Sequence, residues 1–309
     1  MATTAAFNPA TDIPSLAGKV ILITGANSGL GRQSALELAK HQPERIWMAA
    51  RDPLKGQEAA SYIQARVPDA PVTPLDLDLS SFESIKGAAK TVLASTSRLD
   101  ILMLNAGLMG CPPKLTKEGY EIQMGTNHLG HAFLLKLLMP LLLKTATTPR
   151  VVSLASAAWK YADATQKIQF DTLKSLDGAV TPVNRYIQSK VANVLYAQQF
   201  ALRHGPRITI VSVNPGEVDT QLFKREPGDE QMKYLQIEVA PKHVRPVEDG
   251  VKNQLWAATA ATDAVVNGAH YEPVGVHVEP TGLLADEELA RATWDWTQKE
   301  LEGHEISAD

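Results

Sequence analysis

Tyr186-Ile187-Gln188-Ser189-Lys190 places a phenol and an ammonium four residues apart. On a helix the two groups share one face and lie side by side. A neighbouring ammonium favours the phenolate, drawing a pKa that starts near ~10 toward a range useful for proton transfer. Such a tyrosine gives a proton to a carbonyl oxygen during reduction, or takes one from an alcohol during oxidation. Taken alone, the pattern reads more readily as a helix that packs its tyrosine and solvates its lysine.

A second stretch reads as a binding turn. Thr24-Gly25-Ala26-Asn27-Ser28-Gly29-Leu30-Gly31 follows a short apolar run at 19–24 and leads into Leu30, Ala35, Leu38 and Ala39, which are spaced for a helix. The glycines let the backbone turn sharply and approach a ligand with no Cβ in the way. The first turn of the helix then presents unpaired N–H groups, a natural seat for a phosphate. The spacing is G-x-x-x-G-x-G, not the G-x-G-x-x-G dinucleotide fingerprint, so the turn by itself also fits an ordinary strand-to-helix connection.

These residues need elements to hold them. Apolar runs at 19–24, 45–50, 72–77, 100–104, 150–155 and 207–213 are too short and too uniform for amphipathic helices and read as strands buried on both faces. Helical patterns fall between them at 54–66, from Ser80 with Glu83 as a capping box, at 117–144 and at 184–204, and a last amphipathic helix is expected at 285–301. The alternation predicts an α/β fold, a doubly wound parallel sheet of Rossmann type with helices on both faces and strand order 3-2-1-4-5-6. One domain is expected over 18–309, preceded by a surface arm at 1–17. Ligands of such sheets sit outside the carboxyl ends of the strands, where both motifs fall. The long segments 157–183 and 217–245 lie on that side and are assigned to substrate enclosure, with Trp159, Tyr161 and Phe223 as candidates for a lipophilic wall.

The 309 residues carry a net charge of −4, with the basic residues scattered, so no nucleic-acid partner is expected. One cysteine, Cys111, excludes an intrachain disulfide framework and fits a reducing, cytoplasmic compartment. The apolar run 129–143 is interrupted by Lys136 and Pro140 and is shorter than the ~20 residues of a spanning helix, so no membrane span is expected. Histidines 128, 131, 204, 243, 270 and 277 form no ligand spacing, and structural or solvated roles are expected for them. No metal is expected.

Thr24-Gly25-x-x-x-Gly29-x-Gly31, Asn105-Ala106-Gly107, Asn127, Ser156, Tyr186-x-x-x-Lys190 and Pro215-Gly216 stand in the order and context of the short-chain dehydrogenase/reductase family. The resemblance covers roughly residues 18–270, and its combination of motifs is far more specific than any one of them. The wording Ala49-Ala50-Arg51-Asp52, Leu77-Asp78-Leu79, Thr126-Asn127-His128-Leu129-Gly130-His131 and Ser189-Lys190-Val191-Ala192-Asn193 is most similar to the branch of retinol dehydrogenases and WW-domain-containing oxidoreductase.

The resemblance implies a catalytic set of Asn127, Ser156, Tyr186 and Lys190. Ser156 would hydrogen-bond the substrate oxygen and Tyr186 would act as general acid or base. Lys190 would lower the tyrosine pKa and bind the nicotinamide ribose, and Asn127 would hold a water in a proton relay behind it. Where the family often has two adjacent serines this chain has Ala155-Ser156, so Ser156 is chosen, with Ser153 as the alternative; the interval to Tyr186 is also longer than usual. The implied cofactor residues are Gly25, Asn27, Ser28, Gly29, Leu30, Gly31, Arg51, Asp78, Leu79, Asn105, Ala106, Gly107, Tyr186, Lys190, Pro215, Gly216, Val218 and Thr220. At the end of the second strand an acidic residue would bind the ribose 2′-OH of NAD, whereas an arginine pairs with a 2′-phosphate. Arg51 stands there, so NADP(H) is expected, with Ser28 or Arg32 assisting. Asp78 is preferred to Asp76 for the adenine.

The expected reaction is NADP(H)-dependent reduction of a ketone or aldehyde, or the reverse oxidation of the alcohol. A lipophilic substrate is expected: a retinoid-, steroid- or polyketide-like compound, the last pointing to secondary metabolism. Two alternatives stay open: an NADP-sensing regulator, and a non-redox lyase, isomerase or cyclase on the same scaffold. A homodimer built through helices 117–144 and 184–204 is implied by analogy, although the same apolar faces fit burial within one subunit.

Overall fold

The computed structural model describes residues 7–162, 167–176 and 180–306. The first apolar run forms β1 (Val20–Thr24), with every residue buried. After α1 (Pro9–Asp12) and β1 the chain alternates: α2 (Gly29–Ala39), β2 (Arg45–Ala50), α3 (Pro53–Gln64), β3 (Val72–Asp76), α4 (Phe82–Ser95) and β4 (Ile101–Leu104). It continues through α5 (Ile122–Met124), α6 (Gly130–Lys144), β5 (Arg150–Leu154), α7 (Pro182–His204) and β6 (Thr209–Val213). The remainder comprises α8 (Glu230–Tyr234), α9 (Ala240–His243), α10 (Val247–Gly250), α11 (Lys252–Thr259), β7 (His270–Glu272), β8 (Val276–Val278) and α12 (Glu287–Glu300).

The strands form one sheet in the order β3-β2-β1-β4-β5-β6-β7-β8. The first six keep the expected parallel doubly wound order. β7 adds to it in parallel and β8 pairs back antiparallel, an edge the sequence pattern does not announce. Alternate residues of each strand supply opposite cores. Val20, Leu22, Leu102, Val151 and Ile210 face α4, α6 and α7, while Ile21, Ile23, Ile46, Met103 and Val211 face α2, α3 and α11.

Several elements differ from the sequence reading. Residues 7–17 are not a surface arm, because Phe7, Ile13 and Leu16 are buried in the α2–α3 core. The helix expected from 117 begins at Ile122 and passes through a π-helical turn, Gly125–Leu129, before α6. The cap of α4 is Ser81, not Ser80: its side chain accepts from Ser84 N, while Glu118 Oε1 accepts from Phe82 N at 2.7 Å. Residues 163–166 and 177–179 of the expected enclosure lie outside the described residues. The face of α7 considered for a dimer packs against the chain's own α12, and Leu301, just past α12, meets α6. Trp294 stacks on Tyr196 at 5.0 Å, His128 Nε2 pairs with Thr297 Oγ1 at 2.7 Å, and Lys136 Nζ donates to Leu301 O at 2.7 Å. No described helix is long and apolar enough to cross a membrane.

Candidate active site

A cleft of about 980 Å³ runs along the carboxyl ends of the strands, lined by Thr24, Ala50, Leu77, Asn105, Leu154 and Pro215 where six of them finish. The glycine turn forms its floor. Gly25 and Gly29 have φ of +67° and +51°, which L side chains rarely adopt, and a Cβ on Gly31 would overlap the Gly25 carbonyl. Ser28 is the N-cap of α2 but makes no side-chain cap hydrogen bond, so the first-turn N–H groups stay available at the cleft.

Gly25, Asn27, Ser28, Gly29, Leu30, Gly31, Arg51, Asp78, Leu79, Asn105, Ala106, Gly107, Tyr186, Lys190, Pro215 and Thr220 all line this cleft. Gly216 and Val218 do not. Gly216 turns the chain with φ +80°, and Val218 is buried against Gly250 of α10 while bridging to Arg245. Asp78 lines the cleft and Asp76 is exposed at the end of β3. Trp159, Tyr161 and Phe223 are not among the lining residues, and Tyr161 is 80% exposed.

At the inner end α7 presents Tyr186 and Lys190 one turn apart, both buried. Lys190 Nζ lies 5.8 Å from the Tyr186 ring centre and donates to Leu154 O at 2.8 Å. Burial pushes the Tyr186 phenol up, and its hydrogen bond with Ser156 pulls it partly back. Burial also pulls the Lys190 ammonium down to about 8. The sequence reading has the lysine lowering the tyrosine; here desolvation of both groups outweighs their mutual influence. Ser156 stands just past β5 and reaches the phenol, whereas Ser153 is buried within the strand opposite Ser212.

Asn127 lies in the π-helical turn and is fully buried. Its Oδ1 accepts from Leu108 N at 2.7 Å, and its Nδ2 donates to Leu108 O and to Ser189 Oγ, each at 2.9 Å. Ser189 Oγ in turn donates to Tyr186 O at 2.7 Å. The asparagine therefore ties the loop after β4 to the helix that carries the tyrosine, an arrangement a one-residue motif does not reveal.

The opposite end of the cleft is basic. Arg51 and Lys55 line it, and Arg32 stacks over Tyr62 at 4.2 Å. Arg225, from the loop after β6, joins them; its guanidinium pKa is lowered first by burial and then by the charge of Arg51. Asp52 is already committed, capping α3 through Leu54 N and Lys55 N. Arg225 and Tyr62 are missed by the sequence reading, since neither belongs to a motif. The buried, unpartnered Thr126 Oγ1 also lines the cleft.

A family model described as short chain dehydrogenase matches residues 19–167. The short-chain dehydrogenase/reductase drtF of Aspergillus calidoustus is 34% identical over 310 aligned residues, spanning 95% of this chain and 97% of its own. The chain belongs to the short-chain dehydrogenase/reductase family. This dehydrogenase/reductase is also similar to human retinol dehydrogenase 11, at 33% identity across 92% of its chain and 86% of the relative's. Among solved structures, an uncharacterized protein from Mycobacterium paratuberculosis superposes with a TM-score of 0.72 at 30% identity, covering 96% of this chain and 97% of that one. The NADPH-bound carbonyl reductase from chicken fatty liver shares the fold, with a TM-score of 0.62 at 23% identity over 85% of this chain and 99% of its own.

Proposed function

We propose that this dehydrogenase/reductase is an NADP(H)-dependent reductase of a lipophilic ketone or aldehyde, with Tyr186 as general acid. The observation that carries the reading is the phenol of Tyr186, partnered by Ser156 and flanked by Lys190, at the inner end of a cleft floored by the glycine turn. The cofactor residues fit: uncapped N–H groups of α2 and positive-φ glycines suit a pyrophosphate, and the basic end suits a 2′-phosphate. Arg51 leads at the end of β2, and the Asp52 that follows it spends Oδ1 on capping α3.

When bound, the nicotinamide supplies hydride to the carbonyl carbon. Ser156 donates a hydrogen bond to the carbonyl oxygen, and Tyr186 delivers the proton there. With its pKa raised further by burial, the phenol is protonated near neutrality, the form that donates a proton in reduction. Lys190 supplies a nearby positive charge as the phenol gives up its proton. Asn127 keeps the loop at Leu108 and the helix at Ser189 in register. The lipophilic class is supported by the similarity to retinol dehydrogenase 11.

The test is NADPH consumption over a panel of lipophilic ketones and aldehydes, run beside Tyr186→Phe and with NADH in competition. Turnover faster with NADPH, and reduced about a hundredfold or more in Tyr186→Phe, is expected. Tight NADPH binding with no carbonyl reduced, or a tyrosine variant as active as the parent, overturns the reading.

A further inference from the structure

His131 is expected from sequence to be structural, yet its two ring nitrogens join the two ends of the site. Nδ1 lies 2.9 Å from Asn127 O and Nε2 lies 2.8 Å from Thr24 Oγ1. A backbone carbonyl only accepts, so Nδ1 carries the proton. In the neutral ring Nε2 is then an acceptor, and the Thr24 hydroxyl must donate to it. Thr24 Oγ1 uses its remaining capacity to accept from Asn105 N and Ala106 N, each at 2.9 Å. Its weaker approach to Met103 O, at 3.4 Å, therefore receives no proton. One tautomer satisfies every group, and the burial of His131 keeps it neutral.

We propose that His131 is a positioning residue that locks the cofactor turn to the proton-transfer machinery through one continuous strut. The strut runs from the Asn105–Ala106 backbone through Thr24 and His131 to Asn127, and from there to Leu108 and Ser189. Asn105 and Ala106 line the cleft where a cofactor lies, while Asn127 fixes the helix bearing Tyr186 and Lys190. His131 reaches neither substrate nor cofactor; it sets the distance between the groups that do.

The proposal rests on the reductase reading, and its test has one arm that needs no turnover. Long-range ¹H–¹⁵N spectra of ¹⁵N-histidine protein, with His131 assigned by its loss in His131→Phe, are expected to show the Nδ1–H tautomer. The Nε2–H tautomer overturns the strut whether or not any carbonyl is reduced. In the kinetic arm His131→Phe lowers kcat by about tenfold to a hundredfold and changes KM by less than about threefold, the pattern of a misplaced proton donor. Thr24→Val acts in the same direction and serves if His131→Phe fails to fold, and Thr24→Ser, which keeps the hydroxyl, recovers most of the loss. The double variant costs no more than the larger single change, since both cut one strut. Folded variants with parental kcat, or losses that add in full, overturn the proposal. If the parent reduces no carbonyl while the tautomer is as stated, the reductase reading fails and the strut stands.

Discussion

Lys190 is buried, and that burial holds its ammonium down at about 8, below the unfolded chain's ~10.4. A base whose folded pKa is depressed costs stability wherever the folded state must carry the charge. Below about pH 8 the full penalty applies, and it is relieved as pH rises from there toward the unfolded value, where the unfolded chain holds the extra proton. A shift of this size corresponds to about 3 kcal/mol. Leu154 O, the acceptor of the ammonium, also receives Asn193 Nδ2 at 3.1 Å, so removing the charge leaves no orphaned carbonyl. Lys190→Met is therefore expected to gain ~1–3 kcal/mol in urea unfolding near neutral pH while losing turnover, a site held at the expense of stability. A variant that unfolds earlier than the parent would show that the lysine is accommodated without penalty. Arg51 gives a second expectation. Arg51→Gln raises the NADPH Kd by about tenfold or more and leaves the NADH Kd within about twofold, read by fluorescence titration. An equal change for both nucleotides places Arg51 away from the 2′-phosphate.

The loop after β6 brings Thr220, Leu222 and Arg225 into the cleft, and the way it is seated gives a prediction for an element. Gly228 N donates to Gly110 O at 2.6 Å, and Met232 of α8, 1% exposed, fills the space that a Cβ on Gly110 would take. Met232→Ala removes this anchor at about 2–5 kcal/mol, much of it local to the loop. Trypsin is then expected to cut after Lys224, Arg225 or Lys233 several-fold faster, with bands identified by mass, while the sheet stays intact. Unchanged cleavage would mean the loop is held elsewhere. The anchor is invisible in sequence because Met232 has no periodic partner and Gly110 is one glycine among twenty. What could be read in advance had local causes. Strands buried on both faces leave continuous apolar runs, the glycine turn needs positive φ, and Tyr186 and Lys190 are a helical turn apart. What could not be read depends on distant contacts: β7 and β8 are three residues each, α12 finds α7 only in three dimensions, and residues 7–17 are anchored by three sparse side chains. Ser80 with Glu83 matches the local capping pattern, yet the helix starts one residue later, at Phe82, whose N–H is taken by the distant Glu118. The cleft residues outside every motif, Arg225 and Tyr62, escaped for the same reason.

Across the whole molecule, three histidines are sealed in neutral form at separate joints. His128 links α7 to α12 through Asn193 and Thr297, His131 joins Thr24 at the glycine turn to Asn127, and His270 pairs with Ser212 where β7 meets β6. Burial pulls them down to about 4, about 3 and about 4. A depressed histidine contributes fully above its unfolded pKa of ~6.5, and that contribution is lost as pH falls toward the folded value, because the unfolded chain takes up a proton the folded chain refuses. With three such groups the loss approaches about 4 kcal/mol per pH unit between roughly pH 6 and pH 4.5. Against a total stability on the order of 5–15 kcal/mol, unfolding within a few pH units of neutrality is expected. Urea unfolding measured at steps from pH 7.5 to pH 5 checks this directly. His128→Gln removes one of the three groups and should flatten the slope by about a third, even though breaking its bonds lowers stability at pH 7.5. The two effects have different signatures: the lost contacts shift the whole curve, and the lost proton changes only its steepness. A parent protein equally stable at pH 7.5 and pH 5 would mean that these joints open to water and admit the proton without unfolding.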